Sequence, residues 1–135
     1  MSDAPFRVAH VSEIVTPAGP EPGRAAWRAV RMHFDIGSFG AAAYRAEAAG
    51  DVFSGDHTEL DTAHEELFFV ANGHASVTVG DQTVDAPAGT FVYVGDPAVV
   101  RGATALEAGT TVLVIGGEPG KAFEVSAWER DAAGA

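Results

Sequence analysis

The chain has 135 residues, no cysteine, and 19 acidic against 8 basic side chains, for a formal charge of -11. That length suits one domain with its own core, and the missing cysteine excludes disulfides, thiol nucleophiles and thiolate metal sites. The acidity argues against nucleic acid and anionic membrane surfaces as partners.

The longest unbroken apolar run, Leu67 to Ala71, falls far short of the ~20 residues of a membrane span. The opening MSDAPFRVAH has neither a basic nor an apolar leader segment, so a cytoplasmic location is expected. Residues 1–24 read as an N-terminal arm or loop. Phe6 to Val11 has the composition of an edge strand, and Thr16 to Gly23 is broken by prolines and glycines that suit neither a ladder nor a helix.

Residues 25–125 read as a single β-domain. Trp27 to Ile36 alternates apolar residues with Arg28, Arg31, His33 and Asp35, which predicts a strand. Ala41 to Ala48 is alanine-rich, but it is short, uncapped and bounded by Gly40 and Gly50, and is assigned to a strand as well. The polar stretch Asp51 to Ala63 carries His57, Glu59 and Asp61 at alternate positions, which in an extended segment point the same way. His64 to Ala71 follows as a strand with His64, Glu66, Phe68 and Val70 on one face and Glu65, Leu67 and Phe69 on the other. Both faces become apolar, so a cover is expected on each side, the second being another copy of the chain in a homodimer.

Asn72-Gly73 predicts a type I′ hairpin leading into a strand at Ala75 to Val79. Turns at Gly80-Asp81, at Pro87 to Gly89, at Gly95 to Pro97 and at Glu107 to Gly109 then separate strands at Gln82 to Ala86, Thr90 to Val94, Val99 to Ala105 and Thr111 to Ile115. A strand plus turn every 8 to 12 residues or so is the pattern of an all-β sandwich or barrel. Phe123 to Val125 can add one more edge strand. In the short tail 126–135, Ser126 and Glu129 have the spacing of a capping box that opens a short helix.

Glu66 followed after six residues by Gly73, together with Gly89 followed by Thr90 to Val94, resembles the two motifs of the cupins. The resemblance covers roughly residues 50 to 116 and implies a jelly-roll barrel, the double-stranded β-helix. In metal-dependent members of that family three histidines and one glutamate hold a divalent ion inside the barrel. Counting back from Glu66 puts Leu60 and Thr62, or Glu59 and Asp61, where two histidines belong. Gly50 and His57-Thr-Glu59 look like the start of that motif, but with a longer spacer before Glu66. Counting on from Gly89 puts Val100 at the third histidine and Thr104 at the asparagine.

Glu66 and His64, two apart on one strand face, can both enter the barrel as ligands or as an acid–base pair. A carboxylate next to Phe68 and Val70 is costly without a partner. Arg101 is the one cation between Glu66 and Ile115, and a one-residue slip in register turns it inward, toward a ligand carboxylate or toward Glu66. Phe68, Phe91 and Tyr93 are candidates for the wall of an apolar pocket, while His33 and His74 read as surface residues. The expected ligand-binding set is therefore His64, Glu66, Phe68, Tyr93 and Arg101, serving a small molecule in a barrel whose metal triad is incomplete. The alternative is a metal-dependent dioxygenase or isomerase in which His57, Glu59, His64 and Glu66 hold a divalent transition metal such as manganese, iron, nickel or zinc. A third reading is an inert structural barrel.

Overall fold

Side-chain alternation builds the barrel wall. In strand β4 (Glu65–Asn72) Phe68 and Val70 are buried and Glu66 follows them inward, while Leu67 and Phe69 turn outward. β4 pairs with β9 (Thr111–Gly117), setting Phe68 beside Val114 and Val70 beside Val112. The computed structural model describes residues 5–17 and 21–132. The other strands are β1 (Ala26–Arg28), β2 (Gly40–Arg45), β3 (Val52–His57), β5 (His74–Val79), β6 (Gln82–Pro87), β7 (Phe91–Val94) and β8 (Arg101–Ala105). They form two antiparallel sheets, ordered β1-β2-β9-β4-β7 and β3-β8-β5-β6, as the turn spacing anticipates. No helix among the described residues is long and apolar enough to cross a membrane.

The second sheet turns small residues inward. Ala75 lies between Ala86 and Ala105, and Val77 between Val84 and Ala103. Those alanines are buried, so the sheets close tightly at the end occupied by Val70, Ala75, Ala86 and Ala105. Each fully buried valine or phenylalanine there contributes about 1.5–3 kcal/mol. The opposite end, reached by Glu66, His57, Arg101 and Val114, is where polar groups enter the barrel.

Several expected elements differ. The strand expected over Trp27 to Ile36 stops at Arg28, and α1 (Val30–Phe34) takes over. This helical turn buries Arg31 against Glu129 of α2 (Ala127–Ala132) at 3.0 Å, a partner that local periodicity cannot reveal. Phe6 to Val11 forms no strand: Arg7 donates to Phe34 O at 2.7 Å, and a 3₁₀ turn covers Val11–Glu13. Phe123 to Val125 is irregular, whereas the helix expected after Ser126 is present. Of the loop expected at 16–23, residues 18–20 lie outside the described residues, as do 1–4 of the arm and 133–135 of the tail.

Asn72-Gly73 makes no hairpin, because β4 and β5 belong to different sheets. Gly73 alone takes positive φ, at 80°, and a Cβ there would lie 2.7 Å from Thr110 Cα. The signal marks a sharp passage between sheets past the buried Thr110. The true hairpin is the next one, where Val79 pairs with Gln82 around Gly80-Asp81.

Candidate functional site

Four segments converge at the open end of the barrel. β3 reaches it through two register shifts, one between Val52 and Ser54 and one between Ser54 and His57, and such bulges re-aim side chains. The turn after β3 fixes Glu59. Its carbonyl accepts from Thr62 N–H at 3.2 Å and Ala63 N–H at 2.7 Å, and its own N–H donates to Pro97 O at 2.8 Å. Ala63 closes the turn at a φ of 57°, a left-handed conformation that costs a non-glycine residue on the order of 1 kcal/mol. β4 supplies Glu66 and β8 supplies Arg101.

Arg101 has no exposed surface. Its guanidinium donates to Glu66 Oε1 at 2.7 Å, to Val99 O at 2.9 Å and to Asp96 O at 2.8 Å. The count from Gly89 that places Val100 inside is one residue out. Val100 is outside, and Arg101 follows Ala103 and Ala105 inward by ordinary alternation. Arg101 thus stands behind Glu66 as its counter-ion.

Beside that pair, His57 Nε2 lies 3.1 Å from Glu59 Oε1, and His57 Nδ1 lies 2.7 Å from Gly55 O. Both ring nitrogens therefore face acceptors, an arrangement that favours the imidazolium. The hydrogen bond to Glu59 raises the His57 pKa against the opposing effect of burial. Thr62 Oγ1 donates to Glu59 Oε2 at 3.1 Å. Burial works to raise the Glu59 pKa, but hydrogen bonds with His57, Glu66 and Thr62 outweigh it and hold the carboxyl below its usual range. Glu66 goes the other way: burial, then the charge of Glu59 and a hydrogen bond with it, pushes its pKa up to about 7 despite Arg101. The two carboxyl groups titrate as a pair, with the higher pKa on the Glu66 side.

Above this cluster lies a cavity of about 320 Å³, walled by Tyr44, Phe53, Phe68, Val112, Val114 and Trp128. A shallower groove of about 620 Å³ adjoins it and shares Tyr44, Phe53, His57 and Trp128. Phe68 is where the sequence places it. His64 is not in the cluster: it precedes β4, its ring lies 5.9 Å from that of Phe123, and it faces a smaller side cavity with Glu59 and Glu66. Tyr93 is a correction. It pairs with Leu67 on the outer face of β7, is exposed, and donates to Glu65 Oε1 at 2.7 Å. Phe91 is outside with it, stacked on Phe69 at 4.4 Å.

Tyr44 and Trp128 are cavity residues that sequence reading missed. Tyr44 has a signal, since it alternates inward with Ala42 along β2. Burial, then Glu66 and Glu59, pushes its hydroxyl pKa up to about 12, so it stays a neutral hydrogen-bonding group. Trp128 has none, because the Arg31–Glu129 pair and contact with Trp27, at 5.0 Å between ring centroids, hold it there.

The donor atoms of His57, Glu59 and Glu66 lie within 4.8 Å of one another. One imidazole and two carboxylates fit a first-row divalent ion in kind, and the bond from Nδ1 to Gly55 O is the backbone brace that often orients a metal-binding histidine. Arg101 already meets the charge of Glu66.

No protein-family model matches the chain, and no curated protein matches it in sequence. Solved structures do match. A cupin protein from Bacteroides fragilis superposes with a TM-score of 0.64 at 13% identity, covering 91% of this chain and 92% of its own. A Klebsiella pneumoniae protein with a double-stranded β-helix domain gives 0.62 at 19% identity, covering 87% and 93%. A putative sugar phosphate isomerase from Acidithiobacillus ferrooxidans gives 0.60 at 21% identity, covering 70% and 60%. With its two antiparallel sheets and these structural neighbours, the chain has the cupin fold.

Proposed function

We propose that this barrel binds a small molecule in the cavity above Glu66, and that the Glu59–Glu66 pair contacts the polar group of that ligand without a complete metal triad. The observation that carries the reading is an apolar and aromatic cavity of about 320 Å³ floored by the two carboxyl groups. That volume lies at the small end of the roughly 300–1,000 Å³ of small-molecule sites. Apolar walls with a few convergent polar groups are the usual form of such a site. The substrate named for the Acidithiobacillus neighbour is not carried over, because no lysine or arginine lines the cavity among the described residues.

The chemistry available is proton transfer. Glu66, with its pKa raised to about 7, can exchange a proton with a ligand near neutral pH, while Glu59, with its pKa lowered, offers a charged acceptor on the same floor. An isomerase or cyclase would use both, whereas a sensor would use them for recognition. The test is a thermal-shift screen of small polar molecules on chelator-treated protein. Hits are repeated on Val114→Phe, which fills the cavity. Hits lost in that variant support the reading, and hits that survive unchanged reject it.

A second reading is carried by the clustering of His57, Glu59 and Glu66. These residues would hold a divalent metal, which would polarise a ligand oxygen. Metal analysis of the purified chain, with melting curves before and after addition of manganese, iron, nickel or zinc, decides it. No bound metal and no shift in Tm would remove this reading.

We also propose that the chain pairs with a second copy through the outer face of the five-stranded sheet, where Leu67, Phe69, Phe91, Tyr93, Leu113 and Ile115 form adjoining ladders.

A further inference from the structure

Apart from His57, the charged side chains that line the cavity are acidic. Glu59 and Glu66 form the floor, and Asp61 stands exposed at the rim. Arg101 has no surface to offer a ligand, and three of its donors are spent on Glu66, Val99 and Asp96. Among the described residues the one cationic wall group is His57, and it is spent on Glu59 and Gly55. An anionic ligand would meet carboxylates with no free cation to hold it. The chain's charge of -11 adds to that repulsion.

The walls complete the pattern. Tyr44, Phe53 and Trp128 line the cavity, and aromatic ring faces attract cations, most strongly at tryptophan. An independent observation concerns Ser54, which lines the same cavity: its Oγ is buried and has no hydrogen-bond partner. A buried hydroxyl left unpaired is costly, and a ligand donor that reaches it through a small shift of the cavity wall would satisfy it.

We propose that the cavity takes an organic cation, an ammonium group carried on a compact apolar body, with the ammonium among Glu59, Asp61 and Ser54 and the body against Tyr44, Phe53 and Trp128. This rests on the reading of the cavity as the ligand site and names the class of ligand. The ammonium donates to the carboxylates and to Ser54 Oγ. The aromatic rings stabilise the charge from the sides, and the volume limits the body to about one ring with a short chain.

Three probes of one size and differing charge test it: benzylamine, benzyl alcohol and benzoate. They are titrated at neutral pH into chelator-treated protein by calorimetry, with Trp128 and Tyr44 followed by NMR. Benzylamine is expected to bind about tenfold more tightly than benzyl alcohol, and benzoate to show no saturable binding. Asp61→Asn, a change at an exposed position, is expected to weaken benzylamine several-fold and leave benzyl alcohol unchanged. Ser54→Ala, which removes a hydroxyl without a partner, is expected to weaken benzylamine while the free protein melts no lower. Equal or tighter binding of benzyl alcohol or benzoate, with Trp128 and Tyr44 perturbed, overturns the cation and leaves the cavity as the ligand site. If no probe perturbs Trp128 or Tyr44, both the cation and the underlying reading fail.

Discussion

Arg101 has no exposed surface and gives one of its three hydrogen bonds to Glu66, so removing it leaves a buried carboxyl group without its counter-ion. Breaking such a pair costs about 3–5 kcal/mol when the remaining group must stay charged, but Glu66 can instead keep its proton. Its folded pKa of about 7 lies above the ordinary 4.5. Its contribution to stability is therefore complete below pH 4.5 or so and is lost as pH rises through about 7, a change on the order of 3 kcal/mol. The raised pKa of His57 acts in the same direction, whereas the lowered pKa of Glu59 favours the folded state above its unfolded pKa and is lost in acid. Arg101→Met should accordingly destabilise the chain more at pH 8 than at pH 5 in urea titrations. Adding Glu66→Gln should recover most of the loss at pH 8. An equal cost at the two pH values would mean that Glu66 does not change its protonation between them.

The elements differ in how far their sequences declare them. β4, β5, β6, β7, β8 and β9 were legible because alternation and turn residues act over a few neighbours, and Glu66 was legible as a carboxylate on an otherwise apolar inner face. Arg101 was legible as a candidate, but its direction was not, since the Gly95 to Pro97 turn sets the register. β3 was obscured by its two bulges, which break the period of two and bring His57 to the site. α1 is too short for a helical period, and its reason for existing is Glu129, on the far side of the chain's sequence. That same pair docks α2 and with it Trp128. Arg31 and Glu129 are both buried, so Glu129→Ala leaves the guanidinium only Ile36 O at 2.8 Å and the exposed Asp35 at 4.0 Å and should cost up to about 3–5 kcal/mol. If docking of α2 is separable from the barrel, the measurable result is a red shift of Trp128 fluorescence and weaker ligand binding with strand content unchanged by circular dichroism. An unshifted tryptophan spectrum would show that Trp27 contact alone holds α2 in place.

At the scale of the whole molecule the two sheets are unequal. The β3-β8-β5-β6 sheet buries alanines inward and shows threonines, serine and aspartate outward, as in Ser76, Thr78, Thr83 and Asp85. The other sheet is apolar on both faces. On its outer side Leu67 sits between Ile115 and Tyr93, and Phe69 between Leu113 and Phe91, with Phe91 63% and Tyr93 62% exposed. Burying such a patch is worth about 25 cal/mol for each Å² removed from water, and a contiguous exposed apolar patch on a soluble domain marks an interaction surface. Charge opposes self-association, since each copy carries -11, and screening by salt relieves that repulsion. The chain should therefore sediment at twice its 13.9 kDa, with association strengthening as salt rises from about 0.05 to 0.5 M, where the Debye length becomes short. Phe91→Glu places a charge at the exposed β7 end of the ladder without touching the inner face, and should give a monomer with the same melting curve at high dilution. Sedimentation as a monomer at every concentration and salt level would remove the paired-sheet proposal and leave this face as a surface for some other partner.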